Sequence, residues 1–281
     1  MRMRSSAARK SLDLLMKVIS SLSAGIGIFF LAWILWEVVK RGATALNAGF
    51  FVNLPAPPGM SGGGIGNAIL GSLIIMVLAT LAGVPVGVLG GVYLAEFGKF
   101  NLFGKSVRFT LNVLMGIPSI IIGMFVYTLL VRSTGHFSGY AGALSLAIIM
   151  IPVISRTTED MLALVPNTLR ESALAVGAPS WKVTLGIVFR AAKSSLLTGI
   201  LLAIARVSGE TAPLLFTALN SPYWPTSIAQ PTANLTVTIF NYAMSPYSDW
   251  QKIAWGASLL IMIGVLAVTI GARILAKEDV R

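Results

Sequence analysis

The 281-residue sequence predicts an all-α, polytopic membrane protein with about six transmembrane helices, and three observations carry that reading. Hydrophobic residues make up 56% of the chain and charged residues only 11%. A soluble globular chain carries roughly 25% charged residues, so too little charge is present to solvate a water-facing surface. Second, the apolar residues gather into six runs long enough, or nearly so, to cross about 30 Å of hydrocarbon. Third, the Lys and Arg residues behind the net charge of +11 lie at the ends of those runs. Nucleic-acid binding would need them clustered on one face, so no nucleic acid is expected. The absence of cysteine excludes disulfides, thiolate metal sites and cysteine nucleophiles.

Each run has its own logic. Residues 1–17 form a basic N-terminal segment. The first run, Val18 to Val39, has 22 residues. It exceeds the about 7–15 of a signal-peptide core, and the WEVVKRG that follows offers no small-residue cleavage site, so an uncleaved helix is expected. The second, Asn67 to Ala95, carries Pro85, which implies a kink. Its Gly83, Gly87 and Gly91, spaced by four, offer a face for close helix packing. The third is Val107 to Val131. The fourth, Tyr140 to Ile154, is the weakest, because Pro152 and Arg156 close it early. The fifth runs from Ser195 to Leu219 and the sixth from Ile253 to Leu275, leaving 276–281 as a tail. A single transmembrane domain over 18–275 is expected.

Orientation follows from the basic residues. With the N-terminus inside, sixteen of the 21 Lys and Arg fall in cytoplasmic segments. Lys40, Arg41, Arg132 and Lys252 fall on the other side, and Arg206 is left within the membrane. Both termini therefore face the cytoplasm. The outer segments are Lys40 to Gly66, with PAPPGMSGGGIG, and a longer stretch between the last two runs. Tyr223, Trp224, Tyr247 and Trp250 in the latter suit an interfacial belt; the segments read as solvated connections or as a docking surface. His136 is alone in an outer loop and cannot make a metal cluster or triad. Glu159 and Asp160 read as acids at a helix start, favoured by the helix dipole.

The longest cytoplasmic connection, 159–193, has helical periodicity. Leu169, Ala173 and Val176 share one face, Gly177 suits a helix C′ position, and Pro179-Ser180 marks a turn. Trp181, Leu185 and Val188 then restart the period. The words RESALAVGAPSWKVTLGIVFRAA resemble the EAA loop of ABC importer permeases, whose short helix docks in a groove of the ATPase subunit and transmits its closure. The resemblance assigns that coupling role to Glu171, Ala173 and Gly177. Ser172 replaces the usual second Ala, and Phe189-Arg190 stands where Leu-Pro is usual, so the bend there departs from the family.

The fifth run holds ARVSGETAPLLF. Arg206 lies about twelve residues into it, roughly 18 Å at 1.5 Å per residue and so near the midplane. A central Arg costs about 2.5–3.5 kcal/mol on insertion scales, so the site should face a bundle interior or a wet cavity. Arg206 and Glu210, at i and i+4, can share a face and neutralise each other, though Arg before Glu is the weaker order. Gly209 and Pro213 break the local regularity. Two readings stand: a buried ion pair holding the fold, or a guanidinium fork offered to an anion crossing the membrane, with Glu210 positioning it.

ARVSGETAPLLFTA, YLAEFGKF and LNVLMGIPSIIIGMF resemble the permease subunits of phosphate-specific ABC importers, and the likeness covers most of the chain from Asn67 to Leu275. It implies a type I ABC importer permease fold in a bacterial inner membrane and a substrate pathway through Arg206 and Glu210. The implied partners are a second permease subunit, an ATPase dimer and an external phosphate-binding protein. No cofactor would be bound by this chain; ATP and Mg would be used by the ATPase. In keeping with this, GKFNLFGKS has five residues between its glycines where a phosphate-binding loop needs four, and no strand precedes it. No catalytic or metal residues are expected. The rivals are a permease for another oxyanion such as sulfate or molybdate, a secondary anion transporter working without ATP, and a membrane anchor without transport.

Overall fold

Asparagine and serine set where several helices begin. Asn47, Asn101, Ser138 and Asn234 are extended residues whose side-chain oxygens accept from the N–H groups of Phe50, Gly104, Ala141 and Val237 at 2.6–3.2 Å. Each satisfies a donor that a helix start leaves free. The computed structural model describes residues 6–278. Arg2 and Arg4 of the basic N-terminal segment and Arg281 of the tail lie outside them.

The described residues form helices and no strands. In order these are α1 (Ser6–Gly42), α2 (Ala48–Val52), α3 (Gly66–Val92), α4 (Leu102–Gly116) and α5 (Ser119–Val126). Then come α6 (Arg132–Thr134), α7 (Gly139–Ala163), α8 (Asn167–Ala175), α9 (Ser180–Val183) and α10 (Phe189–Val207). The last are α11 (Ala212–Leu215), α12 (Leu235–Ala243) and α13 (Ser248–Glu278). π-Helical turns extend α3 (Tyr93–Phe97), join α5 to α6 (Tyr127–Val131) and join α9 to α10 (Thr184–Val188). Among the described residues five helices are long and apolar enough to cross a membrane, and a sixth crossing results if the bent pair α4 and α5–α6 is one span. The chain is a multi-pass membrane protein.

Three runs differ from their sequence reading. The third is broken: Ile117 and Pro118 are both extended, and the two halves meet at 103°. Proline disfavours a helical conformation in the residue before it, which is why the break falls there. The fourth is not closed early. α7 runs on through Pro152 and Arg156 to Ala163, in contact with α3, α4, α5, α10 and α11. Its modest hydropathy reflects a protein environment, because small residues such as Gly142, Ala143, Ser145 and Ala147 let neighbours approach. The fifth run starts earlier and ends earlier, as one helical span over Ser180–Val207 that stops at Ser208.

The glycine spacing on α3 serves packing against α7. A Cβ on Gly87 would lie 2.8 Å from Ile154 Cβ, and Ser155 Oγ donates to the Gly87 carbonyl at 2.9 Å. Around this seam Ile75, Ala79, Leu146, Met150, Ile154, Ala203, Val207 and Val237 form the main core. α1 sits outside it, exposed through its apolar stretch, and meets α13 where Gly42 packs on Leu259 and Trp255.

The long segment after α11 folds back into the bundle. Thr232 N–H donates to the Ala218 carbonyl at 3.0 Å, Gly71 of α3 lies against the Ala233 carbonyl, and Leu235 N–H donates to Ser72 Oγ at 2.7 Å. α12 thus begins inside the bundle and returns outward. Of the four aromatics assigned to an interfacial belt, Trp250 is drawn inward, stacking on Tyr242 at 4.4 Å and donating to the Ala56 carbonyl at 3.3 Å. Tyr223 remains exposed.

Glu159 and Asp160 are also placed differently. They occupy the last turns of α7 rather than a helix start. Glu159 pairs with Arg108 of α4 at 2.5 Å and with Arg156 at 3.3 Å, while Asp160 pairs with Arg156 at 3.3 Å. Ion pairing, not the helix dipole, holds them.

Candidate functional site

Arg206 and Glu210 flank the end of a helix that stops inside the bundle. α10 ends at Val207; Ser208, whose hydroxyl donates to the Ala205 carbonyl at 2.6 Å, and Gly209 follow it. Its height can be read against α7. A Cβ on Gly199 would meet Thr157 at 2.3 Å, and one on Gly142 would meet Ala218 at 2.9 Å. Arg206 therefore lies between those levels, about 16 Å from the Gly139 end of α7, whose length is roughly 37 Å at 1.5 Å per residue. That is near the middle of α7.

Arg206 is exposed on the surface of this chain and Glu210 is half-buried. They do not share a helical face, because α10 ends between them. Among the described residues neither side chain makes an ion pair or hydrogen bond. Glu210 is held through its backbone instead: its carbonyl accepts from Thr236 Oγ1 at 2.9 Å and its N–H donates to the Val207 carbonyl at 3.0 Å. The carbonyl end of α10 and the amide end of α12 thus converge on the Ser208–Thr211 break. Sequence reasoning missed Ser72, Ser208, Asn234 and Thr236, which shape this irregular polar zone. Asn234 before an apolar run carried the signal of a helix cap, but nothing local tells that the capped helix starts inside the bundle.

At the α8 end of the bundle the second group of candidate residues comes together. Gly177 has φ +81°; its N–H donates to the Leu174 carbonyl at 2.9 Å and that of Ala178 to the Ala173 carbonyl at 3.3 Å. This is the Schellman arrangement that ends a helix with a left-handed residue. Ala173 is buried against Leu162, Val183 and Val188, so only a small side chain lets α8 seat there. Glu171 is exposed. Leu169 and Val176, which the periodicity puts on the face of Ala173, are exposed, Val176 at 84%. Leu164, Trp181 and Leu185 are exposed as well. Among the described residues no group of three or more His, Asp or Glu side chains is placed to hold a metal ion.

Comparisons with known proteins agree with this architecture. The family described as the inner membrane component of binding-protein-dependent transport systems matches residues 87–278. The phosphate transport system permease protein PstA of Yersinia pestis is 44% identical over 274 residues, 98% of this chain and 93% of its own. The PstA protein of Haemophilus influenzae is 48% identical over 267 residues, 95% and 94% of the two chains. Among solved structures, a bacterial alginate ABC transporter in complex with an alginate pentasaccharide-bound periplasmic protein superposes with a TM-score of 0.67 over 98% of each chain at 14% identity. The inward-facing MetNI methionine ABC transporter gives 0.65 over 77% of this chain and 96% of its own at 16% identity. At those identities the structural likeness carries the fold, that of ABC importer permeases. With the family matched over most of its length and relatives aligned nearly end to end, the chain belongs to the inner membrane components of binding-protein-dependent transport systems, in the branch of the PstA permease proteins.

Proposed function

We propose that the chain is the permease subunit through which an ATP-driven importer passes inorganic phosphate, with Arg206 as the group that meets the ion. The observation that carries this is the break of α10: it presents an unpaired guanidinium at mid-depth, on a surface open to a partner. An unpaired Arg in hydrocarbon is costly, so it belongs beside a wet pathway, and its planar fork matches a phosphate oxyanion. The PstA relatives, named for phosphate transport, supply the cargo.

A second permease subunit would close the pathway over the exposed face of Arg206, with Glu210 limiting how tightly the anion is held. α8, with Glu171 and Ala173 and ended by Gly177, would dock on an ATPase dimer that binds ATP and Mg. An external phosphate-binding protein would deliver the ion from the far side. The distribution of basic residues supports a reading with both termini in the cytoplasm, and the bacterial PstA relatives support an inner membrane. Alternating access would follow from ATPase closure moving α8 and reorienting the spans around the break.

The test is ATP-dependent uptake of labelled phosphate by the reconstituted complex, set against sulfate and molybdate. Phosphate should be taken up selectively. Equal uptake of all three would remove the phosphate assignment, and uptake without ATP would remove the importer.

A further inference from the structure

Two guanidinium groups at the α8 end tie α8 to the end of α3, through Glu96, and α4 to the end of α7, through Glu159. Arg170 of α8 donates to Glu96 at 2.8 Å, to the Leu162 carbonyl at 2.7 Å and to the Val165 carbonyl at 2.5 Å. Glu96 stands on the π turn that ends α3, and the two carbonyls belong to the end of α7 and the residues after it. Arg108 of α4 donates to Glu159 of α7 and to the Leu94 and Gly98 carbonyls at the end of α3, at 2.5, 2.7 and 3.2 Å. Both pairs are largely buried, with side-chain exposures of 17% and 12% for Arg170 and Glu96 and 22% and 11% for Arg108 and Glu159.

These donors are spent on protein acceptors. The cavity of about 200 Å³ between them, lined also by Lys99 and Asn167, is therefore not built to take an anion. We infer that the two clusters are a mechanical clamp: Arg170 and Glu96 are positioning residues that make α8, the end of α3 and, through Arg108, α4 move as one body. Covalently α8 is joined only to α7 and α9. It packs on α9 and the Thr184–Val188 turn, and the apolar cluster beneath it takes only Val92 and Ala95 from the α3 end. Apolar contacts can slide at small cost. A charge-assisted fork fixes direction as well as distance, and breaking it strands a buried charge.

The inference rests on the reading of α8 as the element that meets the ATPase, and one experiment separates the two. The complete complex, with its ATPase subunits and binding protein, is reconstituted, and ATP hydrolysed per labelled phosphate taken up is measured. Glu96→Gln and Arg170→Gln should keep their ATPase subunits while ATP per phosphate rises about tenfold. The double variant Glu96→Gln with Arg170→Gln should raise the ratio no further than Arg170→Gln alone, since a direct pair can be lost only once. An unchanged ratio in the single variants, or a double variant in which the two effects multiply, overturns the clamp. Should Arg170→Gln not assemble, the near-isosteric Glu96→Gln decides alone. Val176→Arg reports on the docking reading by itself: it should release the ATPase subunits, and if they stay bound with normal uptake, that reading fails whatever the ratio does in the other variants.

Discussion

Arg170 and Arg206 are both arginines in a chain that has only 11% charged residues, and they are treated in opposite ways. Arg170 is largely buried and its guanidinium is taken up by a carboxylate and two carbonyls. Arg206 is exposed in the isolated chain, and among the described residues no partner is provided. A buried arginine without acceptors would be destabilising, so a structural arginine recruits them from nearby elements. An arginine left open at mid-depth does nothing for the stability of its own chain. The difference separates a charge that holds helices from one that, under the proposed function, is kept for something outside the chain.

The sharpest way to break this comparison is Arg206→Gln. Uptake should fall by about a hundredfold or more, because the fork that matches the anion is gone, while the melting temperature in detergent and assembly of the complex stay unchanged. Normal uptake by that variant would sink the pathway role; a collapsed melting temperature would return Arg206 to the structural class. Arg206→Lys keeps charge and loses the fork, and should recover only part of the uptake.

Glu159→Gln probes the opposite class. It leaves Arg108 without its carboxylate and Arg156 with Asp160 alone. About 2 kcal/mol of stability should be lost, below the about 3–5 kcal/mol of a fully buried pair because these groups keep some contact with water. Chemical denaturation of the detergent-solubilised protein would read it, and a variant as stable as the parent would show that the buried charges are idle. Gly91→Val tests packing without charge. Its Cβ would lie 2.4 Å from Thr158 Cβ and 2.5 Å from the Ser155 carbonyl, so overpacking should cost about 1–3 kcal/mol by the same measurement. Gly177→Ala should be the mildest. Nothing stands within 4 Å of its added methyl, but φ +81° costs an L-residue about 1 kcal/mol. The loss should show as weaker retention of the ATPase during purification rather than as loss of the folded permease.

Where sequence reasoning succeeded, the signal was local. Long apolar stretches placed most spans, because hydrocarbon acts on each helix separately. Gly177 was legible because a helix end followed by glycine is a backbone preference of a few neighbouring residues. Reasoning from hydropathy misjudged α7, since it assumes lipid as the solvent of every span. α1 does face outward along its apolar stretch, while α7 is surrounded by protein and tolerates Pro152, Ser155 and Glu159. The ion-pair reading of Arg206 and Glu210, one of the two that the sequence left open, assumed a regular helix through a segment that ends at Val207.

By itself, then, the sequence determined the all-α membrane class, the apolar spans, the helical α8 with its glycine stop, and an arginine too deep to be accidental. The tertiary structure decided that this arginine stands exposed and, among the described residues, without a partner. The end of α10, the inward start of α12 at Glu210 and the ties of Arg108 and Arg170 depend on residues far apart in the chain: 26 positions for Thr236 and Glu210, 51 for Arg108 and Glu159, 74 for Arg170 and Glu96. No spacing rule reaches that far. A polar group in a membrane must find its partner wherever the fold brings one, and only the packed bundle shows which of them go without.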